Sequence, residues 1–310
     1  ASCLMNSEGI LSSGITTSHG IGVQVSIDVD GQLTSSWQGQ SGRSLLPAVP
    51  ECVSRAVHWA QVTQNPLNVE SLAVETPVLL TSEGFSPLFS MVVPPAMTGE
   101  KMVRKESFWS ESMGKEVLNP SLSLYDDGLL NGGMSSGSRD AEGVPRRRQT
   151  LVENGKLSNM LWSTRDAAQQ VAEGRIEDAC STGSASSGGH QSPPSTGCTE
   201  LFLTSSQPSM TMEHLLETMG DGYIVNSVMG AHTANPSSGD FSVTTSAILK
   251  VESGEITGAL KQAGLSGNLA KSLKGKVILG DDVRRQGSYS SGSMHLPDVL
   301  LMDGLRVNPA

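Results

Sequence analysis

Ala234-Asn235-Pro236-Ser237-Ser238-Gly239-Asp240-Phe241-Ser242-Val243 runs into the strand-like Thr244 to Val251 and then into Glu252-Ser253-Gly254-Glu255. Asn, Pro, Ser, Gly and Asp in this order form a turn that delivers Phe241 into a strand, and Ser253-Gly254 ends that strand in a second turn. The same alternation of short β-prone runs and turn pairs, such as Asp303-Gly304, continues from Tyr223 to Val307. It predicts a curled sheet or barrel. No repeat of fixed period and no heptads occur.

Composition agrees with a β-rich chain. Of 310 residues, 37% are hydrophobic and 17% charged, and 34 are glycine, which favours turns and short strands over a helical bundle. The formal net charge of -10 repels phosphate backbones, so no nucleic-acid partner is expected. The local exception, Arg146-Arg147-Arg148, reads as a solvated run. Cys3, Cys52, Cys180 and Cys198 have neither the density nor the spacing of a disulfide framework, which points to a reducing compartment. No apolar run reaches the ~18 residues that span a bilayer, so a cytoplasmic location without membrane association is expected. The sequence starts at Ala1 inside what reads as a working segment, so an upstream region is expected to be missing.

Toward the N-terminus, Ile21, Val23, Val25, Ile27 and Val29 alternate with polar residues and lead into Asp30-Gly31, a hairpin signal continued by Gln32 to Trp37. Helical spacing of apolar residues predicts an amphipathic helix from Pro50 to Gln61, broken by Asn65-Pro66. Pro77 to Thr81 reads as a buried strand, and Ser82 to Met102 as one or two short helices interrupted at Pro94-Pro95. Leu118 to Tyr125 is strand-like and precedes a Gly-rich loop from Asp127 to Glu142. Asn154-Gly155 marks a second hairpin, and Ser163 or Thr164 caps a helix that ends at Gly174. Ser181 to Gly197 is expected to be a mobile surface loop. Met210 to Met219 is expected to be a helix with Leu215, Leu216 and Met219 inward.

Few residue patterns here point to catalysis. A zinc peptidase needs ligands such as those of H-E-x-x-H on a helix, and the six histidines, His19, His58, His190, His214, His232 and His295, are scattered. Glu213 or His214 with Glu217 reads as an exposed helix side. Cys180, His190 and Cys198 match no standard metal spacing. Gly133-Met134-Ser135-Ser136-Gly137 fits G-x-S-x-G but lacks the strand and helix that make a nucleophile elbow. Asp126, Asp127, Asp140 and Glu142 surround one loop with Gly128 and Gly143. They are candidates for binding a hard cation, for proton transfer, or for capping backbone amides. Asn235, Gly239 and Asp240 form either a plain turn or an amide-rich wall beside a peptide groove.

With these segments in hand, the chain resembles the TldD/TldE family, also called PmbA or modulator of DNA gyrase proteins, and within it the TldE/PmbA branch. The resemblance rests on Asn6-Ser7-Glu8-Gly9, the Asp126 to Pro145 block, Leu151 to Leu157 and Ser181-Thr182-Gly183. It continues through Gly239-Asp240-Phe241-Ser242, Glu252 to Ile256, Gly267-Asn268-Leu269 and Pro297 to Val307, in the family's order. It implies an α+β, β-rich fold: a remnant N-terminal α+β region of hairpin plus helix over residues 1–66, and a curled-sheet or barrel-like C-terminal domain over 67–310. About the first third of the family's pattern is absent.

The resemblance further implies a cytoplasmic peptidase of two subunits acting on unfolded peptides. TldD-like chains carry an H-E-x-x-x-H zinc motif and a late cysteine, whereas TldE-like chains lack both. This sequence resembles the second type, with Gly287-Ser288-Tyr289-Ser290-Ser291-Gly292 where TldD-like chains have Cys-Gly-Lys. The expectation is therefore no catalytic residue and no cofactor in this chain, zinc in a TldD-like partner, and a dimer with that partner or with itself. Asp126, Asp127, Asp140, Glu142, Gly143, Asn235, Gly239 and Asp240 are its substrate-binding or structural candidates. The alternatives are a non-enzymatic peptide- or protein-binding regulatory module, or an independent hydrolase using Ser135 or the Cys180/His190/Cys198 loop.

Overall fold

The computed structural model describes the chain apart from residues 1, 6, 30, 44–48, 68–73, 188, 190, 288–291 and 310, and apart from the side chains of 2, 4, 32, 74 and 309. Asn6, Asp30, His190 and the stretch 288–291, each used in the sequence reading, lie outside the described residues.

Turn chemistry sets the local pieces. Strands His19–Val29 and Gln32–Gly42 pair antiparallel with Val29 opposite Gln32, as the alternation predicts. The half-buried face of Ile21, Val23, Val25 and Ile27 belongs with the helix Val49–Val62, which buries Cys52, Ala56, Trp59 and Ala60. Arg148–Glu153 and Lys156–Leu157 form the second hairpin, with Asn154 at φ 47° and Gly155 at φ 78°, the left-handed pair a type I′ turn requires. Ser163 caps Thr164–Ala172 by accepting the Asp166 N–H, and Thr211 caps Met212–Met219 through the His214 N–H. Leu215, Leu216 and Met219 are buried as expected.

Two sheets carry the remainder. A nine-stranded sheet runs in the order Val277–Leu279, Val299–Leu301, Val78–Leu80, Gly222–Met229, Asp240–Glu252, Ala263–Asn268, Leu305–Pro309 and Val74–Glu75, with Glu255–Leu260 also pairing to Asp240–Glu252. The 13-residue strand Asp240–Glu252 is its longest member and lies within the opening sequence stretch. A six-stranded sheet follows the order Arg284–Gly287, Ser293–Leu296, Glu200–Ser205, Leu122–Asp127, Arg148–Glu153 and Lys156–Leu157. The sheet is curled as predicted, and the chain is an α+β protein rich in strand.

Two expectations change. The helices expected over Ser82 to Met102 are present, as Ser82–Ala96 and Gly99–Val103, but the break falls after Pro94-Pro95 and not at it: Pro87, Pro94 and Pro95 all lie inside the first helix. Each proline removes a backbone donor, but Phe85, Leu88, Phe89, Val92, Val93 and Ala96 are all buried, and that apolar burial outweighs the lost bonds. The segment from Ser181 to Gly197 is not all surface loop. Thr182, Ser184 and Ala185 are buried, and Ala185–Ser186 pairs with Ser195–Thr196. Hydroxyls make this burial possible: Thr182 Oγ1 accepts the Trp162 N–H at 2.8 Å, and Thr196 Oγ1 accepts the Ser163 N–H at 2.8 Å.

Candidate functional site

A cleft of about 1220 Å³ separates the hairpin strand Gln32–Gly42 from the nine-stranded sheet and the start of the helix Ser82–Ala96. Three local features shape it. Strand Gly222–Met229 has a bulge between Val225 and Ser227, which places Asn226 opposite Thr81; Thr81 Oγ1 donates to Asn226 Oδ1 at 2.8 Å. Gly84 allows the helix to approach this strand, since a Cβ there would lie 2.4 Å from the Val225 carbonyl oxygen. Asp298, 5% exposed, accepts the Ser82 N–H at 2.8 Å and so holds the first turn of the helix.

An ion-pair network joins the helix Val49–Val62 to the cleft. Arg55 reaches Glu83 at 2.9 Å and Asp282 at 3.0 Å; Arg284 reaches Glu51 at 2.5 Å and Asp282 at 2.9 Å. Burial, aided by the neighbouring Glu83 and Asp282 charges, pushes the Asp298 carboxyl up to about 7, against the bond from Ser82 and the charge of Arg55. The lining itself is mostly neutral and hydroxyl-rich, with Thr34, Ser36, Ser86, Ser227 and Ser246 around Trp37 and Trp59.

A metal centre needs three or four converging donors from His, Cys, Asp or Glu. The described lining of the cleft offers Glu83 alone, already engaged by Arg55. Among the described residues no three such groups come together anywhere. These residues do not fit a catalytic metal.

The eight residues singled out from sequence lie away from this lining. Most of them bind backbone amides or support turns. Asp126, 1% exposed, accepts the N–H groups of Thr199 and Glu200 at 2.7 and 2.8 Å, and burial raises its carboxyl to about 6. Asp127 accepts the Leu129 N–H at 3.0 Å. Asp140 accepts from Glu142, Val144 and Ala185 at 2.9, 2.9 and 3.0 Å. Glu142 caps the helix Thr164–Ala172 by accepting the N–H groups of Thr164 and Arg165 at 2.5 and 3.1 Å. Gly143 turns at φ 84° and its carbonyl accepts from Arg139 at 2.7 Å. The four acids therefore do not converge.

At the other turn, Asn235 Oδ1 accepts the Ser237 N–H at 2.9 Å, and Gly239 sits at φ 83°. Asp240 accepts from Ser238 at 2.7 Å and Asn268 at 2.7 Å, and these bonds lower its pKa.

The structure also assembles a polar site at the G-x-S-x-G match, around an acid and a histidine that no sequence motif marks. Glu200, fully buried, accepts the Ser135 N–H at 2.7 Å and is hydrogen-bonded to His295 Nε2 at 2.8 Å. His295 stacks on Phe202, which stacks on Tyr125, and the Arg148 guanidinium lies 4.2 Å from the Tyr125 ring. Arg146 bonds to Thr199 Oγ1 beside Asp126. The G-x-S-x-G match thus sits in a loop pinned by an acid, not on an elbow. The one visible hint is a glutamate opening the apolar run Glu200-Leu201-Phe202-Leu203.

A sequence profile of the PmbA/TldA metallopeptidase C-terminal domain matches residues 73–308. The chain belongs to the PmbA/TldD metallopeptidase family. It is 27% identical over 296 residues to the metalloprotease PmbA of Escherichia coli O157:H7, covering 95% of this chain and 60% of that one. It is also 27% identical over 270 residues to an uncharacterized protein of Methanocaldococcus jannaschii, covering 87% of this chain and 60% of that protein. The chain therefore spans 60% of the length of these curated relatives.

Among solved structures, a putative modulator of DNA gyrase from Thermotoga maritima superposes with a TM-score of 0.82 at 26% identity, covering 98% of this chain and 66% of that one. TldE from Thermococcus kodakarensis shares the fold, with a TM-score of 0.86 at 22% identity and the same coverage. No helix among the described residues is long and apolar enough to cross a membrane.

Proposed function

We propose that this chain is a TldE/PmbA-like subunit of a metallopeptidase acting on unfolded peptides in the cytoplasm. In this reading it holds the peptide while a TldD-like partner supplies the zinc. The observation that carries it is the chemistry of the cleft wall. Its described lining has hydroxyls, amides and indoles but no imidazole or thiol, and its single acid is paired with Arg55.

Main-chain geometry supports the same reading. Among the described strands, Gln32–Gly42 pairs only with His19–Val29, so its other edge is available, and Leu33 to Gln38 of that strand border the cleft. An extended peptide adding to such an edge gains backbone hydrogen bonds with little demand on its sequence. Residues 1–66 then provide one wall of the chamber and 67–310 the β-rich body, while Asp126, Asp140, Glu142 and Asp240 keep the body's turns in shape. The active assembly is a dimer with the TldD-like partner.

Metal analysis beside a peptide-cleavage assay tests this. The chain alone should hold no stoichiometric zinc and cleave nothing, and adding a TldD-like subunit should give cleavage. Stoichiometric zinc and cleavage by the chain alone would remove the partner-subunit reading.

A further inference from the structure

We infer that Trp37 is the side-chain selector of the cleft, a flat platform that takes an aromatic side chain of an extended peptide; this rests on the peptide-holding reading above. Trp37 is 65% exposed in the middle of a regular strand and borders the cleft. Its indole lies along the strand over Gly39, which is the cross-strand partner of Gly22. A Cβ at Gly39 would fall 2.3 Å from Cη2 and 2.6 Å from Cζ2 of the ring, and a Cβ at Gly22 would fall 3.4 Å from its Nε1.

Neither glycine is among the residues with positive φ. The backbone at these positions does not call for glycine, so the missing side chains serve the ring: they let one indole face rest against bare backbone. A ring so supported is pre-positioned, and a ligand that stacks on it need not order it first.

The surroundings narrow the ligand. Around Trp37 the wall carries uncharged hydroxyls, the acid Glu83 is held by Arg55 at 2.9 Å, and Lys261 is exposed in the same cleft. An exposed lysine and an acid already paired with Arg55 disfavour a cationic side chain over the indole. An aromatic side chain stacks on the ring without bringing a charge of its own into the cleft, and such pairs favour binding beyond simple area burial. Backbone pairing along the strand edge would hold any extended peptide, and Trp37 would rank peptides by one residue.

The test uses the full chain and a fixed extended host peptide with Phe, Ala or Lys at one position, with affinities measured by calorimetry. The native chain should bind the Phe peptide roughly 3–10-fold more tightly than the Ala peptide. Trp37→Ala should reduce that ratio below about twofold, the ratio rather than either affinity being the readout, and Trp37→Phe should retain most of it. Gly39→Ala, which lifts the ring without removing it, should also reduce the preference. A Phe preference that survives in Trp37→Ala, or tighter binding of the Lys peptide than the Phe peptide, overturns the platform while leaving peptide holding intact. Failure of the native chain to bind any of the three peptides overturns peptide holding itself, and the platform with it.

Discussion

The Asp298 carboxylate accepts the Ser82 N–H at 2.8 Å across 216 residues of sequence, fastening the start of the buried helix to the edge of the strand Val299–Leu301. Its carboxyl is raised to about 7 from the ordinary 3.8, chiefly by burial. The folded chain therefore binds this proton more tightly than the unfolded one. The contribution is fully present below the ordinary carboxyl value and is lost as pH rises toward about 7, so this group makes stability fall across that window. Asp298→Asn keeps an acceptor for Ser82 without a buried charge. It is expected to add roughly 1–3 kcal/mol at pH 8 and almost nothing at pH 4. Urea unfolding at the two pH values measures this, and a loss of stability at pH 8 would contradict the assignment.

Gly84 lies in the first turn of a helix, where replacing glycine with alanine ordinarily gains ~1 kcal/mol. Here the added Cβ would meet the Val225 carbonyl oxygen at 2.4 Å. Gly84→Ala is therefore expected to destabilise by roughly 1–3 kcal/mol through overpacking. A thermal midpoint equal to or above that of the native chain would show that the helix and strand part without strain.

Buried Glu200 and half-buried His295 form a pair whose acid also holds the Ser135 amide. Glu200→Ala leaves the Ser135 N–H without its acceptor and His295 without its partner. The expected loss is about 2–4 kcal/mol, with Glu200→Gln recovering part of it. Faster amide exchange at Ser135 in the alanine variant would locate the effect in the Gly133 to Gly137 loop; unchanged exchange there would separate the loop from the pair.

Arg55 bridges the helix Val49–Val62 to Glu83 and Asp282 with its side chain 22% exposed. Water and salt screen such a contact, so Arg55→Ala is expected to lower global stability by only about 0.5–1.5 kcal/mol, and less at high ionic strength. Proteolysis within the hairpin-helix unit should rise more than global unfolding does. Equal protease resistance of the two proteins would mean that apolar packing alone seats this unit.

Much of the local architecture is legible in the chain itself. Asn154-Gly155 specifies its hairpin because two successive residues must take positive φ, and few residue types do so cheaply. Thr211 and Ser163 mark helix starts because a hydroxyl there satisfies an amide that the helix leaves free. Pro94-Pro95 misleads because a local rule about donors meets a burial term visible only once Phe85 to Ala96 are surrounded. The hydroxyls of Thr182 and Thr196 mislead likewise: a Ser/Gly-rich run looks solvated until its partners Trp162 and Ser163 appear.

The candidate site divides along the same line. Asp126, Asp140 and Glu142 stand out in sequence as acids around one loop, but their hydrogen-bond partners, as distant as Thr199, Ala185 and Thr164, decide that they receive amides and do not meet one another. Trp37 is plain in the sequence, yet its exposure over Gly39 and Gly22 depends on the register of two strands.

What the sequence determined by itself was the family, the strand-rich α+β character and the turns, because these rest on side chains acting on their own backbone. Tertiary structure alone decided the cleft, the Asp298–Ser82 clamp and the Glu200–His295 pair. Those join groups far apart in the chain, and no period or spacing along one strand records which distant strand will lie beside it.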